Sequence, residues 1–251
     1  QLRARRRTTS LGAGGGWAEG YYVNYWLYQW LFFCEVARRC EGVDYYALAP
    51  KFYRNRAVAG MFETYPGIGE YNSRRPVPMG DGGGRVFGGD RDQALSSRRI
   101  LANYFRDDPA HQAVHTFNET TPRSSVGNYA YKDFLWRDPT VPKGDLAAST
   151  LSHFSPGPGY VSARSSWDED ATYFFFKCGD RFTAHQHLDV GNFLIYKHEE
   201  LVGDGGHYDS FGTPHDVNYH LRTLAHNTVL VRDPSETWPG IRAGTVTGND
   251  G

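Results

Sequence analysis

The sequence predicts a multidomain protein in which α-helices come first and an antiparallel β-sandwich follows. Helical spacing of apolar residues dominates the first part of the chain. A connector rich in Pro, Gly and Ser covers residues 139–159, and short β-branched and aromatic runs follow it, most of them separated by turn residues. Helices followed by strands indicate separate layers or domains. We expect a flexible lead at 1–16, a partial helical domain at 17–150 and an incomplete β-domain at 151–251.

The first predicted helix spans residues 17–39, where apolar and aromatic side chains occupy nearly every face. Such a helix is typically buried among other helices, and the basic residues at its C-terminus suit the helix dipole. Gly42 ends this helix, and apolar spacing of three and four resumes at Val43. Pro50 should break or kink the second helix, because proline lacks the amide donor that an interior position needs.

A long loop is predicted at 66–92, since this stretch is too rich in Gly and Pro for a regular element. Its GDGGGRVFGG segment lacks the Lys-Ser/Thr pair of a P-loop and follows no predicted strand, which argues against a phosphate site. A loop beside a substrate cleft and a plain surface loop are the alternatives. Two further helices are expected, at 92–105 behind an N-terminal carboxylate and at 131–137.

Five runs in the second part of the chain have the composition of strands: residues 160–167, 171–179, 192–199, 200–205 and 227–233. No helical period separates these runs. Neighbouring strands should therefore pair antiparallel, as they do in a β-sandwich.

Composition limits the classes of partner. With a formal net charge of -1 over 251 residues, the chain has no general attraction to nucleic acid. No apolar run approaches the roughly 20 residues that a membrane span needs. Cys34 and Cys40 would not face each other on a helix, so a disulfide between them is not expected. Aromatic residues make up 15% of the chain, which suits stacking on sugar rings or a bulky core.

The densest group of chemically versatile residues lies between His185 and His226. On a strand, His185 and His187 would project from the same face, because side chains alternate. Asp204 follows a short apolar run and precedes two glycines, and His226 stands before a β-branched run. Two histidines and a carboxylate from neighbouring strands suit a zinc ion. Hydrogen bonding in the core, with Asp204 at a turn, is the structural alternative.

Three segments carry a resemblance to a known family. HQHLDVGNFLIY at 185–196 and the segment 201–231 resemble the β-domain of the heparinase II/III family of polysaccharide lyases, particularly its heparinase II-like branch. WAEGYYVNYW at 17–26 is similar to the tyrosine-bearing helix at the end of that family's (α/α) toroid. The resemblance implies the C-terminal part of a toroid followed by an antiparallel β-sandwich. It also implies β-elimination on an acidic polysaccharide that contains uronic acid.

The resemblance implies roles for the histidines and the carboxylate. His185 corresponds to the catalytic base, and His187, Asp204 and His226 correspond to the ligands of a structural zinc ion. In such a site the metal organises the loops and does not activate water.

Tyrosines supply the implied proton donor and a substrate contact. Aligning the Tyr-x-Asn-Tyr pattern makes Tyr22 the catalytic acid/base, although this chain is one residue shorter than the family pattern at that point. Tyr25, one helical turn further on, is the reserve, and an aromatic stripe that only packs the helix is the structural alternative. Tyr219 and Arg222 are expected to contact substrate, because arginine can grip a carboxylate or sulfate.

Several neighbouring polar residues have two interpretations each. Asp189 and Asn227 lie close in sequence to site histidines and would fix an imidazole tautomer or form turns. Arg74, Arg75 and Arg85 would add positive charge to a cleft or form a solvated loop face.

One group that the family uses is expected to be missing. An Asn or His upstream of the tyrosine segment neutralises the uronate carboxylate in that family, and His111 and His115 have surroundings that do not support a substitute. We therefore expect a truncated lyase whose isolated activity is weak or absent. A cupin-type metal enzyme is an alternative, because Gly179 precedes the two histidines at cupin spacing. Gly191 and Asn192, however, stand where a cupin needs glutamate.

A carbohydrate-binding module without catalysis is the other alternative, with aromatic residues for stacking and a zinc ion for rigidity. An acidic polysaccharide is the expected partner in either case. A polymer-degrading enzyme is expected in the periplasm or outside the cell, although no intact signal peptide is visible. The sequence leaves the oligomeric state open, with a homodimer among the alternatives.

Overall fold

Five α-helices occur in the part of the chain that the computed structural model describes, namely residues 12–69, 73–82, 88–121, 130–181, 185–206 and 208–230. They are α1 (Val23–Cys40), α2 (Pro50–Phe62), α3 (Gly88–Tyr104), α4 (Pro109–Thr120) and α5 (Ala130–Trp136). All five precede the main sheet in the chain, which confirms the predicted order of helices and strands. None of these helices combines the length and the hydropathy that a membrane span requires.

Helix α1 buries one face and exposes the other. It follows a short 3-10 turn at Gly20–Tyr22, so it begins later than predicted. Leu27 and Leu31 are buried in the helical core, whereas Trp26 and Phe33 are 38% and 48% exposed. Among the described residues, helices therefore pack against one side of α1 only. The prediction that this helix is enclosed on nearly all faces was wrong.

Helix α2 begins at its proline instead of being kinked by it. Pro50 occupies the first turn, where a missing amide donor costs nothing. A 3-10 turn at Tyr45–Leu48 precedes it, and the side chain of Asp44 caps that turn by accepting from the amide of Tyr46. The predicted second helix is therefore two elements separated at the proline. Buried side chains that form the helical core include Leu31, Tyr53, Phe62, Leu101 and Phe117.

A β-hairpin lies in the stretch that was predicted to be a loop. Strands β1 (Thr64–Gly69) and β2 (Ser73–Pro76) pair antiparallel, and α3 begins at the end of the same stretch. The hairpin reaches the main sheet through Tyr65, whose hydroxyl donates to Glu200 at 2.8 Å. Arg74 is buried and donates to a backbone carbonyl of β1. The prediction of a purely irregular segment was wrong, because the hairpin is held by a contact to Glu200, which is distant in sequence.

The main sheet contains five strands joined in sequence order, each antiparallel to the next. They are β3 (Ser152–Ser155), β4 (Tyr160–Arg164), β5 (Tyr173–Lys177), β6 (Phe193–Lys197) and β7 (Glu199–Val202). The prediction of antiparallel pairing is confirmed, although β3 lies inside the predicted connector. Residues 227–230 form no strand, and the remainder of the run predicted at 227–233 lies outside the described residues.

The two faces of the main sheet differ in burial. One face packs against the β1–β2 hairpin and the residues after it, and this second core consists of Tyr65, Val77, Met79, Tyr160, Tyr173, Phe175, Leu194 and Tyr196. The other face leaves Phe154, Phe174 and Phe193 between 37% and 58% exposed. Within the described residues, the main sheet thus has one covered face and one open face. The second sheet of a sandwich and the toroid remain predictions.

Residues 12–16 are packed against the fold. The Nε2 atom of His153 lies 2.7 Å from the carbonyl oxygen of Gly14, and Arg56 donates to the carbonyl of Gly15 at 2.6 Å. Gly15 and Gly16 are buried. The predicted flexible lead at 1–16 was therefore wrong for its last five positions, because β3 and α2 hold them, and residues 1–11 lie outside the described residues.

Helix α4 carries a buried histidine that should make stability depend on pH. His111 is fully buried, and burial lowers its pKa to about 4 although the carboxylate of Asp108 lies 3.5 Å away. The unfolded chain binds this proton near pH 6.5, so its contribution to stability is complete above that pH and is lost as the pH falls toward 4. As the pH falls through this range, protonation of His111 is expected to lower the free energy of unfolding by roughly 3 kcal/mol.

Urea unfolding of the wild type and of His111→Gln between pH 7 and pH 4 measures this contribution. The variant should show a shallower fall in stability across this range. Equal slopes for the two proteins would contradict the assignment.

Candidate active site

Two glycine turns bring distant parts of the chain together. Gly20 has φ +59°, and a Cβ atom there would lie 2.4 Å from the carbonyl oxygen of Met79. Gly80 has φ +62°, and a Cβ atom there would lie 2.6 Å from the carbonyl oxygen of His185. Both the backbone conformation and the close approach require glycine. Tyr22, which ends the first turn, and Asp81, which follows the second glycine, consequently lie beside His185.

Asp81 is the buried centre of the site. Its carboxylate bonds the Nδ1 atom of His185 through one oxygen and lies 3.1 Å from the Nε2 atom of His187 through the other. Burial raises the pKa of this carboxyl group, and the neighbouring His185 acts in the opposite direction. His185 is only partly buried. A carboxylate that accepts from Nδ1–H leaves the Nε2 atom of a neutral imidazole as a base.

Tyr22 packs directly against the predicted base. The rings of Tyr22 and His185 have centroids 4.7 Å apart. Burial raises the pKa of the Tyr22 phenol, and a hydrogen bond with Tyr208 raises it further. The phenol therefore keeps its proton at neutral pH and can donate it. Tyr25 is 40% exposed, and its ring lies 5.4 Å from that of Tyr22.

The three predicted zinc ligands lie in one hydrogen-bonded row. The Nδ1 atom of His187 lies 3.2 Å from the Nε2 atom of His226, and the Nδ1 atom of His226 lies 3.0 Å from Asp204. Asn192 also donates to Asp204, at 2.9 Å. Asp204 thus contacts the ring nitrogen of His226 that does not face His187. The structure brings these residues together but does not converge their ligand atoms on one point, so this ligand set stays a prediction.

A different group of possible ligands does converge. Among the described residues, the ligand atoms of Asp81, His187 and His220 all lie within 4.8 Å of one another. Burial lowers the pKa values of both histidines, which favours their neutral form. Sequence reasoning missed Asp81 and His220. Gly80 and Gly82, which flank Asp81 in the sequence, indicated close backbone packing there. No sequence pattern around His220 indicated a site residue.

The two histidines of the HxH pattern occupy a loop and not a strand. Residues 185–192 are irregular and lie between β5 and β6. This loop is tied to the segment after the site: the amide of Leu188 donates to Leu221 at 2.8 Å, and Thr223 donates to the carbonyl of Leu188 at 2.7 Å. The prediction that strand alternation aligns His185 and His187 was wrong. Their common partner Asp81 brings them together.

Asp189 and Asn227 have structural partners. Asp189 forms a buried ion pair with Lys177 at the end of β5. Asn227 donates to the backbone carbonyls of Gly203 and Phe193, at 2.7 and 3.1 Å. These contacts hold the loops around the site and involve no imidazole, so they favour the structural interpretation of both residues.

The predicted substrate contacts differ in accessibility. Arg222 is 3% exposed, which argues against a direct grip on a polymer at the surface. Tyr219 is partly buried and packs near Gly206, where a Cβ atom would lie 3.1 Å from its ring. Arg74 is buried, and Arg75 forms an ion pair with Glu200. Contact with substrate stays a prediction for Tyr219 and Arg222, and Arg85 lies outside the described residues.

Comparison with known proteins agrees with the helix-then-sheet fold. Residues 148–247 match the family model described as heparinase II/III-like, C-terminal. The heparan sulfate lyase HepC from Pedobacter heparinus is similar in structure, with a TM-score of 0.58 and 18% identity over 85% of this chain and 29% of that chain. A crystal structure of heparinase III gives a TM-score of 0.58 and 17% identity over 89% of this chain and 33% of that chain.

At these identities the solved structures support a common fold. The chain spans about a third or less of their length. No curated protein matches it.

Proposed function

We propose that the protein carrying this heparinase II/III-like C-terminal region is a lyase that cleaves a uronic-acid polysaccharide by β-elimination. Heparan sulfate, other glycosaminoglycans, alginate and ulvan belong to the substrate class. The observation that carries the proposal is the pairing of Tyr22 with His185, whose ring centroids lie 4.7 Å apart. Next to them the buried carboxylate of Asp81 binds the Nδ1 atom of His185.

These residues match the two proton transfers of β-elimination. His185 removes the proton at C5 of the uronate through Nε2, and the electron pair of the broken C5–H bond forms the double bond between C4 and C5. The bond from C4 to the linking oxygen breaks, and Tyr22 donates its proton to that oxygen. The phenol of Tyr22 is protonated near neutrality, as an ordinary tyrosine is, so this proton is available. In this proposal an upstream Asn or His neutralises the uronate carboxylate, as the family resemblance implies.

A structural zinc ion is part of the proposal. The donor types fit zinc, because the buried imidazole of His187 is held neutral by a pKa far below its ordinary value and carboxylates lie nearby. A bound ion would fix the loop that carries His185 and His187. His187, Asp204 and His226 are the ligands that the family resemblance implies. None of the proton transfers needs the ion.

The rival functions have less support. A cupin places its HxH pattern on a strand of a barrel, whereas here both histidines lie in a loop. A carbohydrate-binding module would use the exposed aromatic residues but has no use for a tyrosine held against a histidine. As a secreted or periplasmic enzyme, the lyase would meet acidic polysaccharides directly.

The test is an assay of the complete protein that carries this chain. Ultraviolet absorbance of the unsaturated uronate is measured on heparan sulfate, chondroitin sulfate, alginate and ulvan, with His185→Ala as the inactive control. We expect product from at least one polymer with the wild type and none with the control. Binding without product from any uronate polymer would overturn the lyase proposal and favour the binding module.

A further inference from the structure

We propose that Phe211 is a substrate-binding residue. Its ring stacks on the sugar unit next to the uronate that reacts, and the turn that carries Phe211 favours a unit without sulfate. The inference deepens the proposed function and rests on it, since His185 is taken as the base.

Phe211 lies beside the proposed catalytic base. The centroids of the Phe211 ring and the His185 imidazole are 5.0 Å apart, and the two ring planes are inclined by 53°. The Nδ1 atom of His185 is bonded to Asp81 in the interior, so Nε2 is the ring nitrogen that is left for the substrate. Phe211 remains 53% exposed in spite of its contact with the imidazole. Half of this side chain is therefore open where the proposed mechanism places the polymer.

A tight turn holds Phe211 in this position. The amide of Thr213 donates to the carbonyl of Ser210 at 3.4 Å, which closes the turn around Phe211. Gly212 has φ +74°, a conformation that glycine adopts without strain at the third position of a turn. The amide of Gly212 donates to the fully buried carboxylate of Asp216 at 2.8 Å, so the tip of the turn is tied to the interior. The aromatic ring is thus placed before substrate binds, which lowers the entropic cost of the contact.

The geometry favours contact with the neighbouring sugar unit. The base has to reach the hydrogen on C5 of the uronate, so the Phe211 ring cannot cover that same position. The separation of 5.0 Å between the Phe211 ring and the imidazole is close to the length of one sugar unit in a polysaccharide. The faces of a pyranose ring expose C–H groups, and an aromatic ring offers them an apolar face that carries negative charge density. Phe211 therefore adds binding at the unit next to the one that reacts.

The charges of the turn favour a sugar unit without sulfate. Residues 208–216 include two aspartates, Asp209 and Asp216, and neither lysine nor arginine. Asp216 is buried, whereas Asp209 is partly exposed two residues before Phe211. A sulfate group on the stacked unit would gain no ion pair from this turn and would approach the carboxylate of Asp209. Repulsion of this kind selects between ligands that otherwise make the same contacts.

Steady-state kinetics of the complete protein test the contact. Phe211→Ala should raise KM for an unsulfated uronate polymer about 3- to 10-fold, the effect of one lost aromatic contact, and leave kcat within about twofold. Phe211→Trp should restore KM and Phe211→Leu should not, because stacking needs an aromatic face. Phe134→Ala, at a phenylalanine of α5 that is 89% exposed, is the matched control and should keep both constants. A fall in kcat at unchanged KM would mean that Phe211 acts through His185 and would overturn the proposal.

Binding to a variant without the proposed proton donor gives a second readout that does not depend on activity. Calorimetry measures the Kd of uronate tetrasaccharides, unsulfated and fully sulfated, for Tyr22→Phe and for Tyr22→Phe/Phe211→Ala. We expect the second substitution to weaken binding of the unsulfated ligand about 3- to 10-fold and of the sulfated ligand less than twofold. Equal losses for the two ligands would contradict the preference for an unsulfated unit, and no loss for either would contradict stacking. Binding that depends on Phe211, with no unsaturated product from any polymer in the wild type, would overturn the lyase proposal alone.

Discussion

Replacing Tyr22 by phenylalanine is expected to lower the rate of unsaturated product formation about 100- to 10,000-fold, the range for loss of a general acid. The phenol stands against His185 with ring centroids 4.7 Å apart, and in the proposed mechanism it donates the proton that the leaving oxygen needs. Phenylalanine keeps the ring and its packing but removes the hydroxyl. The turnover rate on the best polymer, followed by ultraviolet absorbance, measures the effect.

Tyr25→Phe is the matched control for this prediction. Tyr25 is 40% exposed, and its hydroxyl lies 3.4 Å from that of Tyr21. We expect little change in its turnover rate. If Tyr25→Phe loses activity while Tyr22→Phe keeps it, the role of acid moves to Tyr25. Unchanged thermal unfolding of both variants would show that the effect concerns chemistry and not folding.

Patterns that are local in sequence predicted several of the elements, although helix α4 was not among them. Helix α1 followed from continuous apolar spacing, and the pairing of β4, β5 and β6 followed from short strand-like runs without intervening helices. The β1–β2 hairpin was missed because its strands contain Gly and Pro, and its stability comes from partners far along the chain. Tyr65 donates to Glu200, which is 135 residues away. A sequence window cannot contain such a contact.

The same limit applies to the site. His185, His187, Asp204 and His226 were proposed from the sequence because they lie within one stretch of the chain. Asp81 lies 104 residues from His185, in a glycine-rich segment that gave no sign of a buried carboxylate. Gly80 has a physical purpose that only the fold reveals, since it lets the backbone approach His185 closely. The sequence also did not indicate which side chains are exposed. Arg222, a predicted substrate contact, is buried.

Removing one partner of the buried Lys177–Asp189 ion pair is expected to destabilise the protein by about 3–5 kcal/mol. Both residues are 3% exposed, and their charged groups are in direct contact. Lys177→Met leaves the carboxylate of Asp189 buried without a counter-charge. Because Asp189 lies two residues after His187, the pair also anchors the site loop to β5. The free energy of unfolding from denaturant titration measures the loss.

The double variant Lys177→Met/Asp189→Leu separates the cost of an unpaired charge from the value of the pair. Apolar replacements of a whole buried pair are often neutral or stabilising, so most of the stability should return. Arg137→Met is a control at an exposed pair with Glu119, where Arg137 is 49% exposed and the loss should stay within about 1 kcal/mol. A loss of this small size in Lys177→Met as well would contradict the burial of the pair. In that case Asp189 would be free to orient an imidazole, as its sequence position first indicated.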